Sequence, residues 1–489
     1  MRSILLAAVA AAALASPACA IQFVNAIAVA GNATDKTTNP QFAQNRLGGF
    51  GSDLVYDASS GLYYGLTDRG PGGGVVDYAP RIQAFKLDVN AATGAIGNFQ
   101  LQSTILFKQA NGATYTGLNP TLANGNPAVL GNSFDPEGLA LTRNGTFLVS
   151  DEYGPTINEF RMDGTLVRTF ETPANLIPRN ASGTPNYTDD RGTITQGRQD
   201  NRGFEGLTIS ADGKTAFATL QDPLVNEGSN NDGRRSRNVR IVSYDVATGA
   251  AKEQYVYQLQ DIAGLNAGLP SDPFSATNQG RSIGNSSILA LPNGKLLVLE
   301  RDNRGFGADP TTDLPVAEKR IYQIDIAGAT DVRNISLAGT NGLNGATPVS
   351  KSATPFLDIQ AALRAAGLTI PEKIEGMTIG QWLADGSLEF NLITDNDYSV
   401  TQTGSGEQFN VCRAGPGSPG VQVGLNDACP AGTSLVPTYI YAFKLSADEA
   451  AALGYVQAAV PEASSWAMMI AGFGLIGGAA RRRRALAIA

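Results

Sequence analysis

Histidine is absent from all 489 residues of this chain. Its absence excludes the Ser-His-Asp and Cys-His catalytic mechanisms, zinc sites with histidine ligands, and an imidazole general base. If the sequence encodes a catalyst, the chemistry must come from carboxylates, lysine, arginine, hydroxyl groups or a hard metal ion.

Charged residues are also scarce, at 16% of the chain, and the 44 acidic residues outnumber the 36 basic ones. A chain with a net charge of -8 does not attract nucleic acid, so we expect no nucleic-acid partner. The 56 glycines and 25 prolines favour a turn-rich β protein, and helical periodicity is sustained only near residues 355–368.

The N-terminus has the order of a secretory signal peptide, residues 1–20. Arg2 precedes an apolar run at 4–14, and small residues at 18–20 form a cleavage site after Ala20. The alternative is a buried first strand. Cleavage leaves two of the three cysteines, Cys412 and Cys429. Outside the cytoplasm we expect them to form a disulfide, with two free thiols as the alternative.

The C-terminal segment, residues 460–489, joins a Val-Pro-Glu-Ala motif at 460–463 to an apolar run at 467–480 and four arginines at 481–484. The run is shorter than the roughly 20 residues that usually span a bilayer. A short tail anchor is the alternative. The segment resembles the PEP-CTERM sorting signal, although Ala463 replaces the proline of that motif. The resemblance implies membrane contact through this segment alone, removal by an exosortase-type protease, and delivery to the surface or exopolysaccharide matrix of a Gram-negative bacterium.

The region between these ends, residues 21–459, contains a repeated pair of strands. The first strands of the pairs are at 134–141, 203–209, 286–291 and 374–379. The second strands follow a turn and end in acids or amides, at 147–152, 216–222, 296–302 and 391–397. Such repetition indicates a radial β architecture. We predict an all-β fold, a β-propeller of five or six blades with long loop insertions, in which the strand at 21–29 closes the last blade.

Carboxylates recur at the same places in these repeats. The strand-start acids are Asp53, Glu137, Glu205 and Glu375, with Ser286 or Ser287 in the fourth repeat. The strand-end residues are Asp68, Asp151, Glu152, Gln221, Glu300, Asp302, Asp395 and Asp397. If the first strands line a central channel, the four strand-start acids meet and repel one another. Ca²⁺, which takes 6–8 oxygen ligands, would relieve the repulsion. The alternative is pairing with Arg46, Arg202, Arg281 and Lys373.

The motifs resemble, in this order, the phytase-like family described as "esterase-like activity of phytase". The matching stretches are 134–141, 148–155, 201–207, 297–302, 373–377 and 394–397, within residues 45–445. The resemblance implies a β-propeller hydrolase of phosphoesters or other esters, with Ca²⁺ held by carboxylates. The candidate catalytic residues are Glu137, Asp151, Glu152, Glu205, Glu300 and Glu375. The candidate metal ligands are Asp53, Glu137, Asp151, Glu205, Glu375 and Asp395.

Two hypotheses of function follow from these observations. The first is an exported, Ca²⁺-assisted hydrolase of a small phosphorylated or ester substrate, in which the metal ion activates a bound water. The second is a non-catalytic surface or matrix protein, in which the propeller binds a partner and calcium is structural. The acids at the strand ends favour the first hypothesis, and the sorting segment favours the second.

Overall fold

Five antiparallel sheets of four or five strands are arranged so that their first strands contact one another in a closed circle. This is the arrangement of a β-propeller. The computed structural model describes residues 21–38, 45–189, 191–309, 313–402 and 407–457. The signal peptide at 1–20 and the sorting segment at 460–489 lie outside the described residues.

The chain begins with strand β1, Gln22–Val29. The first sheet contains β2 (Asp53–Asp57), β3 (Leu62–Leu66), β4 (Arg81–Val89) and β5 (Ile96–Leu106). The second contains β6 (Pro136–Leu141), β7 (Thr146–Asp151), β8 (Thr156–Arg161) and β9 (Leu166–Thr169). A separate hairpin follows, with β10 (Arg179–Asn180) and β11 (Ile194–Gln196). The first two sheets are therefore each built from strands that are consecutive in sequence.

The third sheet contains β12 (Phe204–Ile209), β13 (Thr215–Leu220), β14 (Asn238–Asp245) and β15 (Ala251–Gln258). The fourth contains β16 (Ile283–Ala290), β17 (Leu296–Asp302), β18 (Lys319–Asp325), β19 (Ser350–Lys351) and β20 (Leu357–Asp358). The fifth begins with β21 (Lys373–Trp382) and β22 (Leu388–Asp395). An inserted sheet contains β23 (Val400–Gln402), β24 (Gln408–Arg413), β25 (Val421–Gly424) and β26 (Ser434–Leu435).

The fifth sheet is completed by strands from both ends of the folded region. Strand β27 (Thr438–Leu445) pairs with β22, and β1 pairs with β27 from Gln22 opposite Lys444 to Val29 opposite Thr438. The prediction that the strand at 21–29 closes the last blade is therefore confirmed. This closure fastens the last sheet with main-chain hydrogen bonds to the beginning of the domain.

Short helices connect the sheets. They are α1 (Pro120–Asn124), α2 (Ile262–Asn266), α3 (Gln279–Ser282), α4 (Ile359–Ala365) and α5 (Ala447–Ala452). Between residues 330 and 370 the chain forms β19, β20 and α4. Among the described residues, no helix has the length and apolar character needed to cross a membrane.

The turns and the disulfide agree with the sequence predictions. The first two strands of the second to fifth sheets are joined by turns with a glycine at positive φ: Gly145 at 73°, Gly213 at 78°, Gly294 at 84° and Gly386 at 81°. Cys412 in β24 is bonded to Cys429, with 5.6 Å between the Cα atoms. The disulfide therefore lies in the inserted sheet, which follows directly after the end of β22.

Apolar side chains on both faces of the sheets form the core. Leu148 of the second sheet, Leu207 and Val242 of the third, and Ile288 and Val298 of the fourth belong to one buried cluster. A fully buried side chain of this size contributes about 1.5–3 kcal/mol. The packed faces hold the sheets side by side and leave the starts of the first strands around one end of the centre.

Candidate functional site: an acidic mouth of the central channel

A β-bulge lies near the start of the first strand in four of the five sheets. In β12 the pairing shifts between Phe204 and Gly206, so that Glu205 is the extra residue. A bulge turns a side chain away from its regular direction. The equivalent residues of β6, β16 and β21 are Glu137, Ser286 and Glu375. The repeated glutamates therefore occupy one structural position, in which the bulge directs them away from the sheet.

The glycine after each glutamate permits close contact between neighbouring first strands. The distance from an added Cβ to the nearest backbone nitrogen of the next strand would be 2.6 Å at Gly138, 2.7 Å at Gly206 and 2.8 Å at Gly376. Real Cβ atoms are not found this close to backbone, so a side chain at these positions would push the strands apart. The Glu-Gly pair thus combines a projecting acid with a tight ring of first strands.

Asp53 occupies the glycine position of its sheet and not the glutamate position. Strand β2 has no bulge, and Ser52 stands where the other sheets have glutamate or Ser286. The Asp53 carboxylate accepts hydrogen bonds from the backbone N–H of Leu139 at 2.8 Å and of Leu54 at 2.9 Å. Burial raises its pKa well above the usual range. Asp53 therefore joins two first strands inside the ring and does not reach the other acids.

A second ring of polar residues comes from the ends of the second strands. In each sheet, the residue at the glycine position of the first strand pairs with a residue of the second strand. The ring residue lies two positions further along that second strand. These residues are Asp68, Glu152, Gln221, Arg301 and Asp395. We call Ser52, Glu137, Glu205, Ser286 and Glu375 the first-strand ring, and this second set the second-strand ring. Together with Asp135 and Asp397 they form the acidic mouth.

Asp151 directly precedes Glu152, and Glu300 directly precedes Arg301. Because side chains alternate between the two faces of a strand, Asp151 and Glu300 point away from the second-strand ring. Asp151 accepts hydrogen bonds at 3.1 Å from the backbone N–H of Asp135 and of Tyr153, and burial raises its pKa to about 7. Glu300 is contacted by Lys351 Nζ and the Tyr257 hydroxyl. The structure therefore does not bring these two candidate catalytic residues into the mouth.

Two groups of three carboxylates lie in the mouth and share Asp68. One oxygen each of Asp68, Asp135 and Glu137 lie within 4.8 Å of one another, and the same holds for Asp68, Asp395 and Asp397. The first, second and fifth sheets therefore contribute to one site. Asp135, two residues before Glu137, was missed in the sequence because only the glutamate position was compared between repeats.

The carboxylates of the mouth affect one another electrostatically. Burial raises the pKa of Glu137 well above the usual range, and the charges of Glu205 and Asp135 raise it further. Burial also raises the pKa of Asp68, to which the charges of Asp395 and Asp135 add. Burial raises the pKa of Asp395 to about 8. The charge of Glu205 thus acts on Glu137, and Asp395 lies beside Asp68.

Basic side chains neutralise part of this charge. Arg69 Nη1 lies 3.3 Å from Asp135 Oδ2, and Lys373 Nζ lies 2.6 Å from Asp397 Oδ1 and 3.3 Å from Asp395 Oδ2. The side chain of Asp397 is 36% exposed and that of Lys373 is 24% exposed, so solvent reaches the mouth at this side. A ligand could enter there.

Of the four basic residues considered as partners in the sequence, Lys373 forms ion pairs with Asp395 and Asp397 of the mouth. Arg202 bonds Asp222 at 2.9 Å, and Arg281 lies 3.2 Å from Asp200. Arg46 donates to the carbonyl of Tyr398 at 2.7 Å. Pairing with these residues therefore accounts for only part of the acidic charge.

The remaining groups fit a hard cation. Glu137 has neither a hydrogen-bond donor nor a basic partner among the described residues, and Glu205 Oε2 is buried without a hydrogen bond. Leaving such groups uncompensated is costly. The clustered groups are carboxylates, whose oxygen atoms are the ligand type that Ca²⁺ prefers. Asp68, Asp135, Glu137, Asp395 and Asp397 are the residues that would hold the ion.

Beyond the mouth the channel is lined mainly by apolar side chains. A cavity of about 150 Å³ is lined by the first strands of all five sheets, with Asp53, Thr208 and Thr378 as its polar residues. Because the Asp53 carboxylate is already bonded to backbone N–H groups, a charged ligand gains little from these surroundings. The chemistry of the site is therefore confined to the mouth.

Comparisons with known proteins agree with the two resemblances noted in the sequence. Residues 45–398 match the Phytase-like family, described as "Esterase-like activity of phytase", and residues 459–484 match the PEP-CTERM protein-sorting motif. An uncharacterized secreted protein of Arthroderma benhamiae is 28% identical over 438 residues, covering 73% of this chain and 84% of its own.

Among solved structures, the hydrazine synthase of Kuenenia stuttgartiensis is 10% identical with a TM-score of 0.29, covering 73% of this chain and 80% of its own. A luciferin-regenerating enzyme is also 10% identical, with a TM-score of 0.30, covering 82% of this chain and 94% of its own. The sorting motif supports export and processing by exosortase-type machinery. The family match covers most of the folded region, and the chain belongs to the phytase-like family.

Proposed function

We propose that this protein is an exported hydrolase of phosphoesters or other esters, assisted by Ca²⁺ at the acidic mouth. The observation that carries the proposal is the pair of carboxylate groups that share Asp68. Three sheets bring these acids together at a solvent-reachable place, and the basic residues nearby compensate only part of their charge. Perturbed carboxylates gathered in this way are typical of functional sites.

Glu205 has the geometry of a general base. Its Oε1 accepts a hydrogen bond from Gln221 Nε2, which fixes the carboxylate, while Oε2 has no donor among the described residues. Burial raises the pKa of Glu205, as do the charges of Glu152 and Glu375. A carboxylate with a raised pKa exchanges protons more readily near neutral pH. We therefore assign Glu205 Oε2 to take the proton from the attacking water.

The groups around the clustered acids suit an anionic or polarised substrate. When bound, Ca²⁺ would supply Lewis-acid activation of a substrate oxygen and lower the pKa of a bound water. Arg69 and Lys373 lie at the edge of the clusters and would orient a negatively charged substrate group. Glu152, whose side chain is buried and whose pKa burial raises, stands beside Glu205 as a second acid-base group.

Export would bring the protein to the cell surface or to an exopolysaccharide matrix. The sorting motif and the secreted relative support this destination. The partner expected during maturation is an exosortase-type protease. The partner expected in function is a small phosphorylated or ester substrate.

A non-catalytic propeller with structural calcium is the second candidate. The clusters contain Asp68 from the first sheet, Asp135 and Glu137 from the second, and Asp395 and Asp397 from the fifth. A cation held there would fasten the first sheet to the neighbours on both sides. This geometry favours a stabilising role even without turnover.

Metal-stripped protein assayed with and without Ca²⁺ separates the two candidates. The substrates are p-nitrophenyl phosphate, p-nitrophenyl acetate and phytate, and thermal unfolding is followed in parallel. Ca²⁺-dependent turnover is expected for the hydrolase. A melting shift without turnover of any substrate would support the binding protein, because a shift alone reports binding.

The assignment of Glu205 is tested with Glu205→Gln. We expect turnover to fall by about 10²–10⁴, the usual contribution of a general base, while the Ca²⁺-dependent melting shift persists. Glu253→Gln, an exposed position of the third sheet, is the matched control and should leave turnover unchanged. Full activity of Glu205→Gln would exclude Glu205 as the base.

A further inference from the structure

The fourth sheet reverses the charge that the other sheets bring to the mouth. At the first-strand ring it has Ser286, where three sheets have glutamate. At the second-strand ring it has Arg301, where the other four sheets have an acid or an amide. Both changes occur in the same sheet, so that a shorter neutral side chain stands next to a long cation.

Arg301 fills the space that the missing glutamate leaves. Its Nε donates to Ser286 Oγ at 2.7 Å, and its Nη1 donates to Asn303 Oδ1. Its Nη2 contacts Glu375 Oε1 and lies 3.9 Å from Glu205 Oε1. The guanidinium is 4% exposed. The guanidinium therefore lies between Glu205 of the third sheet and Glu375 of the fifth sheet, the two sheets on either side of the fourth.

The oxygen atoms around this guanidinium come from Ser286, Asn303, Glu375 and, at 3.9 Å, Glu205 Oε1. The other oxygen of the same Glu205 carboxylate, Oε2, is buried without a hydrogen bond, and so is Oε1 of Gln221, whose Nε2 donates to Glu205 Oε1. The oxygen atoms bonded by Arg301 form a shell in which the guanidinium supplies the positive charge. Such a shell suits a divalent cation, but a cation at this place would be repelled by Arg301.

We propose that Arg301 is a built-in cation that takes the place of a metal ion between Glu205 and Glu375, so that exchangeable Ca²⁺ binds only on the Asp68 side of the mouth. This inference rests on the proposed function in one respect, that the mouth binds Ca²⁺. Arg301 thereby acts as a positioning residue. It fixes Glu205 and Glu375, and it determines how many metal ions the mouth holds.

The test is Ca²⁺ binding to Arg301→Met, measured by isothermal titration calorimetry on the chelator-stripped protein, with thermal unfolding in parallel. Methionine keeps the apolar stem and removes the charge. We expect Arg301→Met to bind an additional Ca²⁺ compared with the wild type. Its melting temperature should be lowered without metal and recover in millimolar CaCl₂.

Two variants control for the charge and the ligand. Arg301→Lys keeps the positive charge and should bind as many Ca²⁺ ions as the wild type. The double variant Arg301→Met/Glu375→Gln removes a ligand of the new site and should lose the additional ion. An unchanged Ca²⁺ count in folded Arg301→Met, or a failure of CaCl₂ to restore its folding, would overturn the proposal.

The wild-type titration reports on the proposed function separately. A wild type that binds no Ca²⁺ would contradict the metal site at Asp68. In that case a gain of Ca²⁺ binding in Arg301→Met would still support the role of Arg301. Conversely, Ca²⁺ binding by the wild type with no gain in the variant would leave the Asp68 site intact and refute the inference on Arg301.

Discussion

Two groups of buried acids in this protein differ in how their charge is compensated. In the acidic mouth, Glu137 has no basic partner among the described residues. Between the third and fourth sheets, Lys351 Nζ contacts Glu300 Oε1 and Arg320 Nη1 contacts Glu318 Oε2. We call the latter residues, Glu300, Glu318, Arg320 and Lys351, the paired cluster.

The comparison shows that a strand-end acid is not in itself evidence of a site. Glu152 follows the second strand β7 and Glu300 lies near the end of the second strand β17, yet Glu152 lies in the mouth and Glu300 in the paired cluster. Buried acids with fixed basic partners hold elements together, whereas unpaired acids close to one another require a cation or protons. The two clusters should therefore respond differently to mutation, calcium and pH.

The largest expected effect is the loss of a partner in the paired cluster. Lys351 Nζ also lies 4.0 Å from the ring centroid of Tyr322, and Lys351→Met leaves the fully buried Glu300 without its cation. Removing one partner of a buried pair costs about 3–5 kcal/mol. Urea unfolding should show this loss equally with and without Ca²⁺. Lys214→Met, at an 82% exposed side chain, is the control. A loss that Ca²⁺ restores would mean that the paired cluster also binds metal.

A smaller effect is expected in the mouth, and unlike the loss in the paired cluster it depends on Ca²⁺. Asp68→Asn removes the carboxylate that the two carboxylate groups of the mouth share. The variant should abolish stabilisation by Ca²⁺, which is about 2.7 kcal/mol for a ligand at 100 times its Kd. Without Ca²⁺ the variant should be as stable as the wild type or more so, because like charges are removed. Thermal unfolding against Ca²⁺ concentration measures both. Asp88→Asn, an exposed position of the first sheet, should keep the full Ca²⁺ response.

The fold was largely predictable because its signals are local. Alternating apolar residues and turns such as Asn144-Gly145 defined the first two strands of each repeat to within a few residues, including β3 and β22. The helix expected near 355–368 is shorter, Ile359–Ala365, since it begins at the N-cap Asp358, whose side chain accepts from Ala361 N–H. The short outer strands β19 and β20 have too few residues to show a pattern.

The site was predictable only in part because it depends on bulges and long-range contacts. Glu137, Glu205 and Glu375 were identified since the Glu-Gly pair repeats in the sequence. Asp53 was misaligned by one position because the absence of a bulge in β2 is not visible in the sequence. Arg301 was missed since nothing local shows that a strand-end arginine reaches the glutamates of two neighbouring sheets.

The last prediction concerns the response of the paired cluster to pH. Burial raises the pKa of Glu318 to about 8, to which the charge of Glu300 adds. The folded protein therefore holds a proton on Glu318 that the unfolded chain, with a pKa near 4.3, releases. Between these two pKa values the free energy of unfolding falls as pH rises, by up to about 1.4 kcal/mol per pH unit from Glu318. Glu318→Gln cannot ionise at this position, so the stability of the variant should fall less steeply between pH 5 and 8.

Asp163→Asn is the control, because hydrogen bonds from Thr165 lower the pKa of Asp163, which therefore lies below this pH range. Equal slopes for Glu318→Gln and the wild type would show that Arg320 keeps Glu318 ionised, and that the paired cluster is compensated by charge alone.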